Sequence, residues 1–123
     1  EPVSGAPRYP LRRAADVARV LDRVEQETGH RNVRLLADLY HLSVNGDDLA
    51  EVVERHAPRI GHVQIADAPG RHEPGTGHID LDRHLTALEA AGYRGWVGLE
   101  YVPTGTTEAS LGWLAPNRRR QQP

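Results

Sequence analysis

The sequence contains no cysteine and no lysine, and each absence excludes a class of chemistry. Without cysteine there is no disulfide, no thiolate nucleophile and no Cys-ligated zinc site, and a cytoplasmic setting is expected. All 15 basic residues are arginine, so a Schiff-base aldolase or a lysine-dependent PLP enzyme cannot be built from this chain. Carbonyl chemistry within these residues would therefore need a metal ion.

Long apolar runs and a strong net charge are also missing. No segment approaches the roughly 20 apolar residues that cross a bilayer, so no membrane partner is expected. The formal net charge is -2, which gives no broad basic surface for nucleic acid. The expected partners are therefore small molecules. The polar tail at 117–123, with its basic cluster at 118–120, is predicted to be disordered.

Apolar runs and helical periodicity alternate along the rest of the chain. Short apolar runs predict strands over 33–39, 60–66 and 96–102. Periodic apolar residues and capping residues predict helices over 11–29, 45–57, 80–92 and 106–116. The last of these would carry Leu111 and Leu114. A polar loop at 66–79 is too long for a simple connector.

This alternation predicts an α/β fold with a parallel sheet, either open or closed into an eight-stranded barrel. No Gly-rich phosphate-binding motif follows a strand, and this argues against an open sheet that binds a nucleotide. In a barrel the strand ends converge around one axis. We therefore predict about half of a (β/α)8 barrel, with three parallel strands and four helices in a single partial domain over 1–123.

Three polar side chains end the apolar runs RLLAD, IGHVQ and WVGLE, namely Asp38, Gln64 and Glu100. With Glu1 they form an all-oxygen set of charge near -3, which suits Mg²⁺ or Mn²⁺. Such an ion would polarise a substrate carbonyl and stabilise an enediolate, while the glutamates remove and return a proton. The chain begins inside this site, without a strand to carry Glu1, so we expect a fragment.

Each of these residues also has a structural explanation. Asp38 could be a helix-capping or turn acid, and Gln64 a polar residue bonded to backbone. Glu100 is harder to explain in this way, because an unpaired carboxylate inside an apolar strand is costly.

Two further residues are candidates for substrate contact. His41 would sit just past a strand end, where it could bond a substrate oxygen or be a capping or surface histidine. Arg71 in the long loop could pair with a substrate carboxylate or be surface charge. The EPGTG segment at 73–77 either covers the site or is an ordinary loop.

Four segments resemble a known family: DLYH at 38–41, HVQIAD at 62–67, APGRHEPGTG at 68–77 and GYRGWVGLEYVPTGTTEASLGWL at 92–114. Together they are similar to the C-terminal half of hydroxypyruvate isomerases and 2-oxo-tetronate isomerases, which are xylose-isomerase-like TIM barrels. The resemblance implies that the first four strands and most of the fifth are missing. The family loop usually reads EPGTGE, and this chain has His78 in place of the second glutamate.

The resemblance also implies roles for particular residues. Metal ligands would be Glu1, Asp38, Gln64 and Glu100. Of these, Glu1 and Glu100 would act as acid and base, and His41 and Arg71 would contact substrate.

The implied activity is isomerisation of hydroxypyruvate to tartronate semialdehyde through an enediolate, in carbohydrate metabolism. A second possibility keeps the chemistry with a four-carbon 2-oxo-tetronate or a related sugar as substrate. A third possibility is a truncated half-barrel without catalysis, which could self-associate through its exposed sheet edges.

Overall fold

The computed structural model describes residues 1–115, which form a three-stranded parallel sheet connected by helices. The strands are Leu35–Asp38 (β1), Ile60–Ile65 (β2) and Val97–Leu99 (β3). The α-helices in 1–115 are Ala14–Thr28 (α1), Leu39–Val44 (α2), Leu49–His56 (α3), Leu81–Ala90 (α4) and Thr107–Ser110 (α5), and a 3-10 turn covers Ala57–Arg59. The predicted disordered tail at 117–123 lies outside the described residues.

The sheet has the strand order β1-β2-β3, and both pairings are parallel, as the alternating pattern predicts. Asp38 lies beside Gln64 in the register, and Gln64 lies beside Gly98. Glu100 directly follows β3, and its backbone N–H donates to the carbonyl oxygen of Ile65 at 3.1 Å. Because the carboxyl ends of parallel strands meet at one edge, this register brings Asp38, Gln64 and Glu100 to the same edge.

The longest described helix, α1, is amphipathic and buries Ala14, Val17 and Leu21. It ends at Gly29, whose φ of 71° is the left-handed conformation that glycine adopts readily at a helix C-terminus. Within residues 1–115, no helix is long and apolar enough to cross a membrane. The cytoplasmic location stays a prediction.

Aspartates begin two of the later helices. Asp48 accepts hydrogen bonds from the backbone N–H groups of the first turn of α3, and Asp80 accepts one in α4. Such bonds satisfy donors that a helix start leaves unpaired. The cap at Asp80 confirms the prediction. The turn predicted before α3 is present at Asn45 and Gly46, but the cap is Asp48 and not a residue of 45–47. Asp47 instead accepts from the backbone N–H of Ala14 at 3.0 Å.

Two helices differ from the sequence-based prediction. Helix α2 follows β1 without a loop, because the Asp38 carboxylate accepts the N–H groups of Tyr40 and His41 and caps the helix at once. Residues 1–115 therefore hold five α-helices instead of four. The last helix ends at Ser110, so Leu111 and Leu114 lie beyond it and not inside it.

The buried core joins β1 and β2 to the first four helices. Its members include Val17, Leu21, Leu35, Ala37, Leu42, Val52, Val53, Val63, Ile65 and Leu88. Strand β3 differs, because Val97 and Leu99 are 37% and 43% exposed. In the described structure β3 is therefore an edge strand with an uncovered apolar face.

We expect the 123-residue chain to self-associate through this edge, since an edge strand offers unpaired backbone N–H and C=O groups to another chain. Size-exclusion chromatography over a concentration series should show larger species as concentration rises. Val97→Lys should suppress them, because a charge on an edge strand hinders pairing. Val20→Lys, at an exposed position of α1, is the matched control and should leave the larger species unchanged. Wild-type elution that does not depend on concentration would contradict this expectation.

Candidate metal centre

Four side chains converge at the carboxyl edge of the sheet. One ligand atom from each of Glu1, Asp38, His41 and Glu100 lies within 4.8 Å of the others. Ligands on opposite sides of one divalent ion, each at about 2.0 to 2.6 Å from it, are separated by about 4 to 5 Å. The spacing of the four groups is therefore compatible with a single ion.

Asp38 is fully buried, and its two carboxylate oxygens have different surroundings. Oδ1 accepts from the N–H groups of Tyr40 and His41 at 2.8 and 3.1 Å. Oδ2 is buried without a hydrogen-bond partner and lies 3.9 Å from His41 Nε2. Burial raises the pKa of Asp38 above its usual range, and the neighbouring Glu100 carboxyl group raises it further, against the lowering effect of the His41 backbone N–H. A cation beside Oδ2 would relieve this cost.

Gln64 presents a second buried oxygen without a partner. Its Oε1 makes no hydrogen bond in the described structure, although buried polar atoms are nearly always paired. The alternative that Gln64 is tied to backbone is therefore wrong for this oxygen. Gly98 on the neighbouring strand has no side chain, and this makes room for the side chain of Gln64. A Cβ at position 98 would lie 3.3 Å from Gln64 Cγ and 3.0 Å from His62 Nε2.

Glu100 is neither inside a strand nor unpaired, which corrects the sequence-based reasoning. The strand ends at Leu99, and the Glu100 side chain is 46% exposed. Its Oε2 accepts from Arg71 Nη2 at 2.7 Å, and the Arg71 guanidinium also lies 5.3 Å from the centre of the Tyr40 ring. Arg71 therefore lies at the edge of the cluster, with Glu100 as its partner.

His41 is buried, with 6% of its surface exposed, so the surface-histidine alternative is wrong. Its Nδ1 is contacted by Ser4 twice: the backbone N–H donates at 3.1 Å and the hydroxyl lies at 2.7 Å. Ser4 therefore fixes the ring at Nδ1, and the bond from the His41 backbone N–H to Asp38 fixes the start of its helix.

Glu1 reaches the cluster from an irregular segment. Pro2 is fully buried, and the N–H of Val3 donates to the carbonyl oxygen of Leu11 at 3.0 Å. The Ser4 contacts with His41 hold the next residue. These contacts position Glu1 at the sheet edge without a strand to carry it.

The long loop after β2 is organised by Asp67, a residue that the sequence reasoning missed. Its buried carboxylate accepts four backbone N–H bonds of 2.9 to 3.0 Å, from Ala68, Gly75, Gly77 and Ile79. Burial acts to raise the pKa of Asp67, but these four donors outweigh it and lower the pKa below its usual range. The loop is therefore a shaped structure and not an ordinary connector.

The other side of this loop is bonded to the residues after β3. The Glu73 carboxylate accepts from the Thr104 N–H at 3.0 Å and from the Thr104 hydroxyl at 2.5 Å. The Val102 N–H donates to the Arg71 carbonyl oxygen at 2.8 Å. The His78 side chain is exposed, and its backbone N–H donates to Ala68. Loop anchoring therefore rests on Asp67 and Glu73.

Two residues are important for this geometry, Ser4 and Asp67. The sequence contains a signal for the role of Asp67 but none for that of Ser4. Asp67 directly follows the apolar run of β2 and precedes a Gly-rich segment, which is a usable signal for an acid that accepts loop N–H groups. Ser4 gave no signal, because its partner is 37 residues away.

The family assignment comes from comparison with known proteins. A family model described as xylose isomerase-like TIM barrel matches residues 1–117. The chain belongs to this family. The predicted resemblance and the predicted fold class are thereby confirmed.

Curated relatives of this family member carry isomerase names. A putative hydroxypyruvate isomerase of Streptomyces coelicolor is 51% identical, over 93% of this chain and 41% of its own length. The hydroxypyruvate isomerase of Escherichia coli is 38% identical, over 75% and 36%. A 2-oxo-tetronate isomerase of Cupriavidus necator is 36% identical, over 74% and 35%. The chain thus spans only 35% to 41% of the length of these relatives.

Solved structures support the same architecture. An AP endonuclease of family 2 from Brucella melitensis aligns with a TM-score of 0.86 and 38% identity, over 95% of this chain and 45% of that one. A 3-keto-D-glucoside 4-epimerase from Escherichia coli aligns with a TM-score of 0.74 and 29% identity, over 92% and 43%.

Replacing Asp67 should destabilise the fold, because an asparagine offers one acceptor oxygen and an NH₂ group to four backbone donors. We expect Asp67→Asn to lower the free energy of unfolding by about 2 to 4 kcal/mol, measured by urea denaturation at pH 7. Glu54→Gln, on the exposed face of α3, is the charge-matched control and should change it little.

The effect of Asp67 should depend on pH in a defined direction. A folded-state pKa below the unfolded value stabilises the fold above the unfolded pKa, near 3.9, and this contribution is lost as pH falls through the folded pKa. The difference between wild type and Asp67→Asn should therefore shrink in acid. A difference that is constant down to pH 2 would show that the ionised carboxylate is not what holds the loop.

Proposed function

We propose that this chain carries the metal-binding and proton-transfer residues of an isomerase that converts hydroxypyruvate to tartronate semialdehyde. One observation carries the proposal: the carboxylates of Glu1, Asp38 and Glu100 converge from three separate parts of the chain, and one oxygen of Asp38 is buried without a hydrogen-bond partner. Gln64, which lies beside Asp38 in the strand register, has a second buried oxygen without a partner. The isomerase names of relatives that are 36% to 51% identical support the reaction class.

The proposed cofactor is Mg²⁺ or Mn²⁺, held by Glu1, Asp38, Gln64 and Glu100. Carboxylate and amide oxygens are the ligands that these hard ions prefer. The unpaired oxygens of Asp38 and Gln64 fit this role, because a cation would satisfy both. When bound, the ion would polarise the substrate carbonyl and stabilise negative charge on the oxygens of an enediolate.

Glu1 and Glu100 would transfer the proton between neighbouring carbons of the substrate. One carboxylate removes a proton from the hydroxyl-bearing C3 of hydroxypyruvate, which leaves an enediolate across C2 and C3. The other returns a proton to C2, while the proton of the C3 hydroxyl passes to the C2 oxygen, so that C3 becomes the aldehyde and C2 carries the hydroxyl. No atom is gained or lost, so the reaction needs no redox partner.

Arg71 is proposed to bind the substrate carboxylate. A guanidinium pairs with a carboxylate through two parallel N–H···O bonds. Arg71 already bonds the Glu100 carboxylate at 2.7 Å, and its side chain is 33% exposed, so it remains accessible from solvent. A small acid bound at the cluster would meet this guanidinium.

A four-carbon 2-oxo-tetronate is the second candidate substrate, because a relative of that name is 36% identical to this chain. The same proton transfer applies to it. A nucleic-acid substrate has less support, since the chain has a net charge of -2.

The decisive variant is Glu100→Gln in a form of the protein that carries a complete barrel. An amide keeps a ligand oxygen but cannot accept a proton, so kcat should fall about 10²- to 10⁴-fold while Mn²⁺ still binds. Isomerase kinetics and Mn²⁺ titration calorimetry would measure the two effects. Turnover within a few-fold of wild type would remove Glu100 as acid or base.

Two further variants separate binding from chemistry. Gln64→Ala removes a proposed ligand and should weaken Mn²⁺ binding, whereas His62→Ala changes the neighbouring residue on the same strand face and should not. Equal Mn²⁺ affinity in all of these proteins would contradict the proposed ligand set.

Arg71→Ala should raise KM for hydroxypyruvate by about 10- to 100-fold with a smaller effect on kcat, because charge-assisted bonds to the carboxylate are lost. Arg71→Lys should give an intermediate KM, since it keeps the charge but loses the planar pair of donors. Arg83→Ala on exposed α4 is the control. An unchanged KM in Arg71→Ala would assign Arg71 to a structural role.

A further inference from the structure

The contact between Ser4 and His41 determines where the imidazole carries its proton. Both the backbone N–H and the hydroxyl of Ser4 face Nδ1, at 3.1 and 2.7 Å. A backbone N–H can only donate, so Nδ1 must present its lone pair. In the neutral ring the proton then sits on Nε2, and the Ser4 hydroxyl is free to donate to Nδ1 as well.

The proton on Nε2 faces the carboxylate cluster. Nε2 lies 3.9 Å from Asp38 Oδ2, which has no hydrogen-bond partner in the described structure. An Nε2–H group at this place can donate to an oxygen bound between the ring and the cluster. It cannot at the same time ligate a metal ion, because a ligating nitrogen needs its lone pair.

The distances alone would admit His41 as a metal ligand, since its ring nitrogen belongs to the group within 4.8 Å. Ligation through Nε2 would move the proton to Nδ1, where it would point at the Ser4 N–H. Two donors would then face each other in a buried place, with neither satisfied. The Ser4 contact therefore argues against ligation.

We propose that Ser4 is a positioning residue that fixes His41 in its Nε2–H tautomer and so makes the ring a neutral hydrogen-bond donor instead of a fifth metal ligand. That the acceptor is a substrate oxygen rests on the proposed function. A neutral donor at that place stabilises negative charge as it develops on a substrate oxygen. It also leaves an all-oxygen ligand set, which favours Mg²⁺ or Mn²⁺ over zinc.

Nitrogen-15 NMR of the histidine side chains in the full 123-residue chain tests this tautomer, with His41→Gln used to assign the ring. In metal-free wild type, Nε2 of His41 should have the chemical shift of a protonated nitrogen and Nδ1 that of an unprotonated one. Both should keep this pattern when Mg²⁺ or Zn²⁺ is added. A protonated Nδ1, or an Nε2 that loses its proton when Zn²⁺ is added, would overturn the proposal.

The Ser4 variants test the cause of the tautomer preference. Ser4→Ala loses the shorter of the two bonds and should raise the ratio of the Nδ1–H to the Nε2–H form about five-fold, which corresponds to about 1 kcal/mol. Ser4→Thr keeps a hydroxyl and should restore the wild-type ratio. Ser43→Ala, two residues from His41, is the control, because the described hydrogen bonds of Ser43 use its backbone carbonyl.

A Ser4→Ala ratio equal to wild type would overturn the role of Ser4, whatever the activity of the protein. Loss of isomerase activity would instead bear on the proposed function, since the tautomer ratio of the Ser4 variants is measured without metal or substrate. The two failures are therefore distinguishable.

Discussion

The carboxylate of Asp38 links the fold of this chain to its candidate site. One oxygen accepts two backbone N–H groups and so turns the chain from β1 directly into α2. The other oxygen is left buried without a hydrogen bond, at the edge where the strands end. Helix α2 brings His41 to the same place, and the register of β2 brings Gln64 beside it. The position of the cluster thus depends on a single side chain that has both a structural and a chemical role.

Much of this arrangement was predictable from local pattern. Apolar runs located the three strands, and the polar residue at the end of each run located Asp38, Gln64 and Glu100 at one edge. That inference needs only the rule that parallel strands share an edge for their carboxyl ends. The strand limits were less accurate: β3 ends before Glu100, which is therefore paired with Arg71 in partly exposed surroundings.

The features that were not predicted depend on side chains that accept several hydrogen bonds at once, or on a partner far away in sequence. Helix α2 was missed because DLYH reads as the end of a strand, and only the two hydrogen bonds of Asp38 make it a helix start. Ser4 was missed because nothing near it in sequence requires its hydroxyl. Asp67 was missed because its four donors lie on a loop whose path the sequence pattern does not specify.

The loop at 67–79 is attached along both of its sides, and this resists outward movement of the segment that carries Arg71. At its base, the Asp67 carboxylate accepts from four backbone N–H groups of the loop. A Cβ at Gly77 would lie 1.9 Å from the Ala68 carbonyl oxygen, so the beginning and the end of the loop are in close contact. At its outer side, Glu73 is bonded twice to Thr104. Swinging this segment outward would break all of these bonds together. It is therefore a firmly held border of the candidate site, on the side where Arg71 bonds Glu100.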